Sequence, residues 1–120
     1  MYNHMVVHSE RSQEEVDLLF HALADATRRD IVTVVLEREH SVSELARRYP
    51  MSFAAVQKHV AVLARAGLVT KRRHGREQLV AGAIDTVRDV NSLLAEWEQL
   101  WRQRLDRISE LLNETEGNRR

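Results

Sequence analysis

Apolar residues recur at spacings of three and four over most of this chain and alternate in only one short stretch. Val16, Leu19, Phe20 and Leu23 make the first stripe, as expected of a helix with one buried face. Ser12 and Glu15 fit a capping box, each side chain satisfying the other's backbone N–H, so this helix should open at Ser12 or Gln13. Asp25 stands where it can cap a second helix. That helix carries Ile31, Val32, Val35 and Leu36 inward, with Thr27, Arg28, Arg29 and Asp30 at its start. The run IVTVV also suits a strand; the cap before it and the Leu-Glu-Arg-Glu after it favour a helix.

Ser41 and Glu44 form a second S-x-x-E box, opening a short helix with Leu45 and Ala46 toward the core. Tyr49-Pro50 should end it, because proline pushes the residue before it out of the helical region. Ser52 then caps a longer helix with a buried stripe of Val56, Val60, Leu63 and Ala64, terminated at Gly67. Two helices joined this tightly have a helix-turn-helix plan. Residues 68–73 and 77–81 read as the strands of a hairpin turning at Gly75, and Gly82 breaks the chain. From Asp85 to Leu112, Val87, Val90, Leu94, Trp97, Trp101, Leu105, Ile108 and Leu112 keep helical spacing, widened by Leu93, Leu100 and Leu111. Such a helix spans roughly 40 Å, more than a small domain can cover alone, so a second copy of the chain is expected to cover part of it.

The predicted fold is therefore mainly α with a small β-hairpin: a winged helix-turn-helix with a long C-terminal dimerisation helix. Residues 1–12 read as a flexible arm, 13–113 as the DNA-binding and dimerisation domain, and 114–120 as a flexible tail. His4 and His8 in the arm are one helical turn apart, either a metal clamp or part of a frayed terminus. The start lacks the basic-then-apolar plan of a secretion signal, and no run approaches the ~20 apolar residues of a membrane span. A cytoplasmic protein is expected. The absence of Cys excludes disulfides, thiolate metal sites and a Cys nucleophile.

Charge sharpens the picture. The chain has 18 basic and 18 acidic residues. Between Leu45 and Arg76 there are eight basic residues (Arg47, Arg48, Lys58, Arg65, Lys71, Arg72, Arg73, Arg76) and no acid, leaving ten basic against 18 acidic elsewhere. A neutral chain thus presents a positive stretch to a polyanion. On the second helix of the pair, Phe53, Ala54, Gln57 and Lys58 fall opposite the buried stripe, facing a major groove. Gln57 suits adenine, and Ala54 or Phe53 a thymine methyl; Phe53 can instead pack near Met51. Ser52, Lys58, Arg47 and Arg48 suit phosphates, which position the protein without reading sequence. His59 suits a phosphate or a partly buried, satisfied position. Arg72, Arg73, His74 and Arg76 surround the hairpin turn, where an arginine can enter a narrow minor groove. Trp97 and Trp101 suit interface packing or a ligand pocket.

Taken together, LFHALADATRRDIV, SVSELA, AAVQKHVAVLARAGLV and the hairpin around HGRE resemble the arsenic-repressor (ArsR) family of bacterial winged-helix regulators. The late WEQLWRQRLDRISELL resembles the dimerising last helix of a metal-independent branch. The resemblance covers residues 15 to 113. It implies a homodimer joined by first and last helices, with Leu19, Phe20, Leu94, Trp97, Trp101, Leu105 and Ile108 at the interface. It further implies binding to double-stranded operator DNA, usually as a repressor and often at the regulator's own promoter. Many members sense metals through a Cys-rich motif where Ser43-Glu44-Leu45-Ala46-Arg47 stands here. Another branch uses Asp and His pairs on the last helix, whereas no His follows His74. Neither a metal site nor a cofactor is expected, and any small-molecule effector is left open. Two alternatives remain: a sensor of the same fold responding to a metal, through His4, His8 or His21 with carboxylates, or to a small molecule; and a protein-interaction module that has lost DNA binding. No phosphate-binding Gly loop, His-Glu-x-x-His or activated Ser set suggests an enzyme.

Overall fold

The computed structural model describes residues 11–118. Helix α1 spans Gln13–Leu23 and α2 spans Ala26–Glu37. The two-residue strand β1, His40–Ser41, leads into α3, Val42–Ala46, and then α4, Phe53–Arg65. Strands β2, Val69–His74, and β3, Glu77–Gly82, form the hairpin, and α5 runs from Ile84 to Asn118. Compact units divide between Arg88 and Asp89, inside the stretch read as one domain.

The helix starts follow local chemistry. The Ser12–Glu15 box closes with bonds of 2.8 and 3.1 Å, and Ser41–Glu44 repeats it at 3.0 Å each way. Asp25 accepts from the Arg28 N–H at 3.1 Å and Ser52 from the Ala55 N–H at 3.1 Å. Gly67 and Gly75 have positive φ of 80° and 63°, at the end of α4 and in the hairpin turn, where a side chain would be strained. Helix α3 ends at Ala46, three residues before Tyr49. The Arg47 and Arg48 N–H groups bond the Glu44 and Leu45 carbonyls, so the turn begins ahead of the proline.

The sheet is antiparallel in the order β1-β3-β2, with His40 opposite Val80, Ser41 opposite Leu79, and Arg72 also opposite Leu79. The third strand is absent from the pattern of apolar positions because two residues cannot show alternation. Ile31, Leu45, Val56, Leu63 and Val80 are wholly buried, and Val42, Val60 and Leu68 nearly so. Leu36 departs from the expected inward position at 38% exposure, while Val34 is buried. Gly82 ends β3 against Leu36: a Cβ there would lie 2.6 Å from the Leu36 Cδ2 and 3.0 Å from its Cα. Strand and helix can approach this closely only where no side chain intervenes.

Helix α5 has 35 residues, roughly 50 Å, and continues past Leu112 through residues expected to be tail. Leu94, Trp97, Leu100, Trp101, Leu105, Ile108, Leu111 and Leu112 are all 44–61% exposed. Arg102 pairs with Glu98 one turn earlier at 2.9 Å, and the Arg104 guanidinium lies 5.9 Å from the Trp101 ring centre. No helix among the described residues is long and apolar enough to cross a membrane.

Candidate nucleic-acid interface

Helix α4 separates its faces cleanly. Val56, Val60 and Leu63 are at most 1% exposed, whereas Ser52, Phe53, Ala54, Gln57 and Lys58 are all exposed, Phe53 by 46%. Phe53 therefore stands at the surface of the first turn rather than withdrawn into the core. The Ser52 hydroxyl is already used by the Ala55 N–H. The helix N-terminus adds the positive end of its dipole to a surface with no acid in its first turn. Such an end suits a major groove flanked by phosphates.

His59 is half-buried and differently employed. Its Nδ1 lies 3.3 Å from Arg28 Nη1. A guanidinium cannot accept, so Nδ1 is the acceptor and the ring proton sits on Nε2. The same Arg28 donates from Nε to the Ala22 carbonyl at 2.8 Å and from Nη2 to the His21 carbonyl at 3.0 Å. One side chain thus satisfies two carbonyls at the C-terminal end of α1, where a cation is favoured, and reaches α4. Arg28 had looked like mere decoration of α2. Its role becomes visible only once three helices meet. The Asp25 carboxyl is held below its ordinary range, first by the Arg28 backbone N–H and further by the positive charge around it.

Two of the expected DNA contacts, one on the turn and one on the wing, face acids brought in from outside the basic stretch. Arg48 lies 3.8 Å from Asp30, whose carboxylate also accepts from the Tyr49 hydroxyl at 2.6 Å. Burial and then that hydrogen bond push the Tyr49 phenol up to about 12, so it stays a donor and ties the turn to α2. Arg72 makes a fork-on-fork pair with Glu39, Nε to Oε2 at 3.0 Å and Nη2 to Oε1 at 2.8 Å. This pair lowers the Glu39 pKa and raises that of Arg72. Arg72 and Arg48, expected to meet DNA from an acid-free stretch of sequence, thus each face a carboxylate in the folded chain: Glu39 and Asp30 precede that stretch but fold against it. Arg47, Lys58, Lys71, Arg73, His74 and Arg76 are exposed, with no side-chain hydrogen bond or ion pair among the described residues. On β2, alternation sends Lys71 and Arg73 to one side and Arg72 to the other.

Leu19, placed by resemblance at a subunit interface, is 3% exposed and belongs to the core of its own unit, whereas Phe20 is half-buried. The stripe on α1 points inward because α2 and α4 cover it. His4 and His8 lie outside the described residues. His21 shares a shallow groove of about 390 Å³ with Glu14, Asp17, Leu18 and Arg65. The described residues contain no group of three His, Asp or Glu side chains that could hold a metal.

A short helix, a tight turn, a capped second helix with an exposed polar face and a two-stranded wing define a winged helix-turn-helix protein. A family model described as a helix-turn-helix domain matches residues 23–72. The HTH-type transcriptional regulator Rv2034 of Mycobacterium tuberculosis is 33% identical over 102 residues, covering 85% of this chain and 92% of its own. The transcriptional activator HlyU of Vibrio cholerae is 34% identical over 67 residues, covering 56% of this chain and 62% of its own. A solved ArsR-like transcriptional regulator from Rhodococcus sp. RHA1 superposes with a TM-score of 0.72 at 32% identity, covering 82% of this chain and 92% of that one. The chain belongs to the ArsR family of helix-turn-helix transcriptional regulators.

Proposed function

We propose that this regulator is a homodimer that binds pseudo-palindromic operator DNA and represses, at its own promoter among others, without a thiolate metal site. The observation that carries the reading is the exposed face of α4, where Phe53, Ala54, Gln57 and Lys58 stand together on a helix whose first turn holds no acid. Gln57 reads a base edge there, Ala54 and Phe53 press on thymine methyls, and Ser52, Lys58 and Arg47 position the helix on phosphates. Arg73, His74 and Arg76 carry the wing to the backbone or minor groove. His59 contributes through its Nε2–H, the nitrogen that Arg28 leaves as donor. Phe20, Leu94, Trp97, Trp101, Leu105 and Ile108 form the dimer contact, supported by the exposure of the α5 side chains. Binding DNA in the cytoplasm suits this arrangement.

Equilibrium binding to the chain's own upstream DNA tests the reading. Affinity should fall steeply between 50 and 200 mM salt, by roughly a thousandfold for six or so neutralised phosphates. Arg73→Ala should weaken binding to all sequences and lower the salt slope by about 1, whereas Gln57→Ala should alter preference at one base pair by roughly 1–3 kcal/mol. Salt-independent binding would sink the proposal. Reporter transcription with and without the protein decides between repression and the activation for which HlyU is named.

A further inference from the structure

We propose that Glu39 is a built-in phosphate mimic: it occupies Arg72 of the wing in the DNA-free protein and so limits how tightly the protein holds any duplex. The geometry is specific. Arg72, Leu79 and Ser41 share one rung of the sheet, and Glu39, two residues before Ser41, returns to the same side. There its two carboxylate oxygens take Nε and Nη2 of Arg72 at 3.0 and 2.8 Å. A planar guanidinium offers that same pair of donors to a phosphate. The Arg72 side chain is 59% and the Glu39 side chain 33% exposed, so the pair faces solvent, where a duplex phosphate has to compete with Glu39 for the same donors. Phosphate contacts carry no sequence information. A carboxylate that competes with one of them therefore lowers binding to every duplex by the same factor and leaves base reading untouched. Discrimination then rests on α4, and release from non-operator DNA is faster. Arg48 shows the same theme more loosely, 3.8 Å from Asp30.

The inference rests on the wing's binding DNA, and the test separates the two. Wild type, Glu39→Gln, Arg72→Gln, the double variant and Glu37→Gln are titrated with a non-operator duplex across 50–200 mM salt. Glu37, exposed at the end of α2, makes no ion pair with Arg72 and controls for loss of a nearby charge. Glu39→Gln is expected to bind several-fold more tightly at 50 mM and to steepen the log–log salt slope by about 0.9, one added phosphate contact. Its advantage should accordingly shrink roughly 3.5-fold on going to 200 mM. The slope gain should vanish in the double variant, and Glu37→Gln should keep the wild-type slope. Three results overturn the inference while leaving the DNA reading intact: a steep wild-type slope unchanged by Glu39→Gln, a slope made shallower by it, or a gain that persists without Arg72. A wild type whose binding ignores salt overturns both.

Discussion

Residues 11–88 and 89–118 carry the same three-and-four spacing of apolar side chains and end in opposite states. In the first, Leu19, Ile31, Leu45, Val56 and Leu63 are nearly or wholly removed from solvent; in the second, Leu94, Trp97, Trp101, Leu105 and Ile108 stay about half exposed. A helical period states which face must be covered, and says nothing about what covers it. Within 11–88 four helices and a sheet supply the cover. Along α5 the described residues leave the apolar stripe open, and the proposed cover is a second copy.

The contrast can be broken most forcefully on α5. Trp97→Ala with Trp101→Ala is expected to convert a dimer to a monomer in sedimentation and to weaken operator binding by about 100-fold or more, because the second half-site is no longer tethered. The melting temperature should then lose its dependence on protein concentration. If mass and operator affinity both stay unchanged, the exposed face has another purpose. The matching change inside the first region is Leu63→Ala. A wholly buried side chain should cost roughly 2–5 kcal/mol in urea unfolding, whatever the protein concentration.

The smallest effect concerns a capping carboxylate. Glu44 is held below the usual glutamate range, first by the Ser41 backbone N–H and then by Arg38. A depressed folded pKa means the stabilisation is complete above the ordinary value of 4.5 and is lost as pH falls through the lowered one. Glu44→Gln should therefore melt lower than wild type near neutrality and converge with it in acid, as thermal scans from about pH 6 downward would show. Parallel curves at all pH would mean the cap carries no charge-linked stability.

How much of this could be read beforehand depends on distance along the chain. Ser12 with Glu15, Ser41 with Glu44, Asp25 and Ser52 all act within three residues, so their caps were legible from residue type and spacing. The α4 faces were legible too, because helical geometry alone separates Gln57 from Val56 and Val60. Less visible were the partners of the cations. Glu39 and Arg72 are 33 residues apart and Arg28 and His59 are 31 apart, and no local pattern connects them. Leu19 was misplaced for a related reason, since a stripe on α1 looks the same whether it faces its own core or another subunit.

The linear chain determined the elements, their caps, the order that makes a winged helix-turn-helix, and a stretch rich in cations. Those features arise from interactions spanning one helical turn or one hairpin. Only the folded molecule decided which cations are exposed and which are taken, when strand β1 set Glu39 alongside Arg72 and helix α2 set Asp30 alongside Arg48. Charge is additive along a sequence, but its effect depends on neighbours within a few ångströms, and packing alone chooses those.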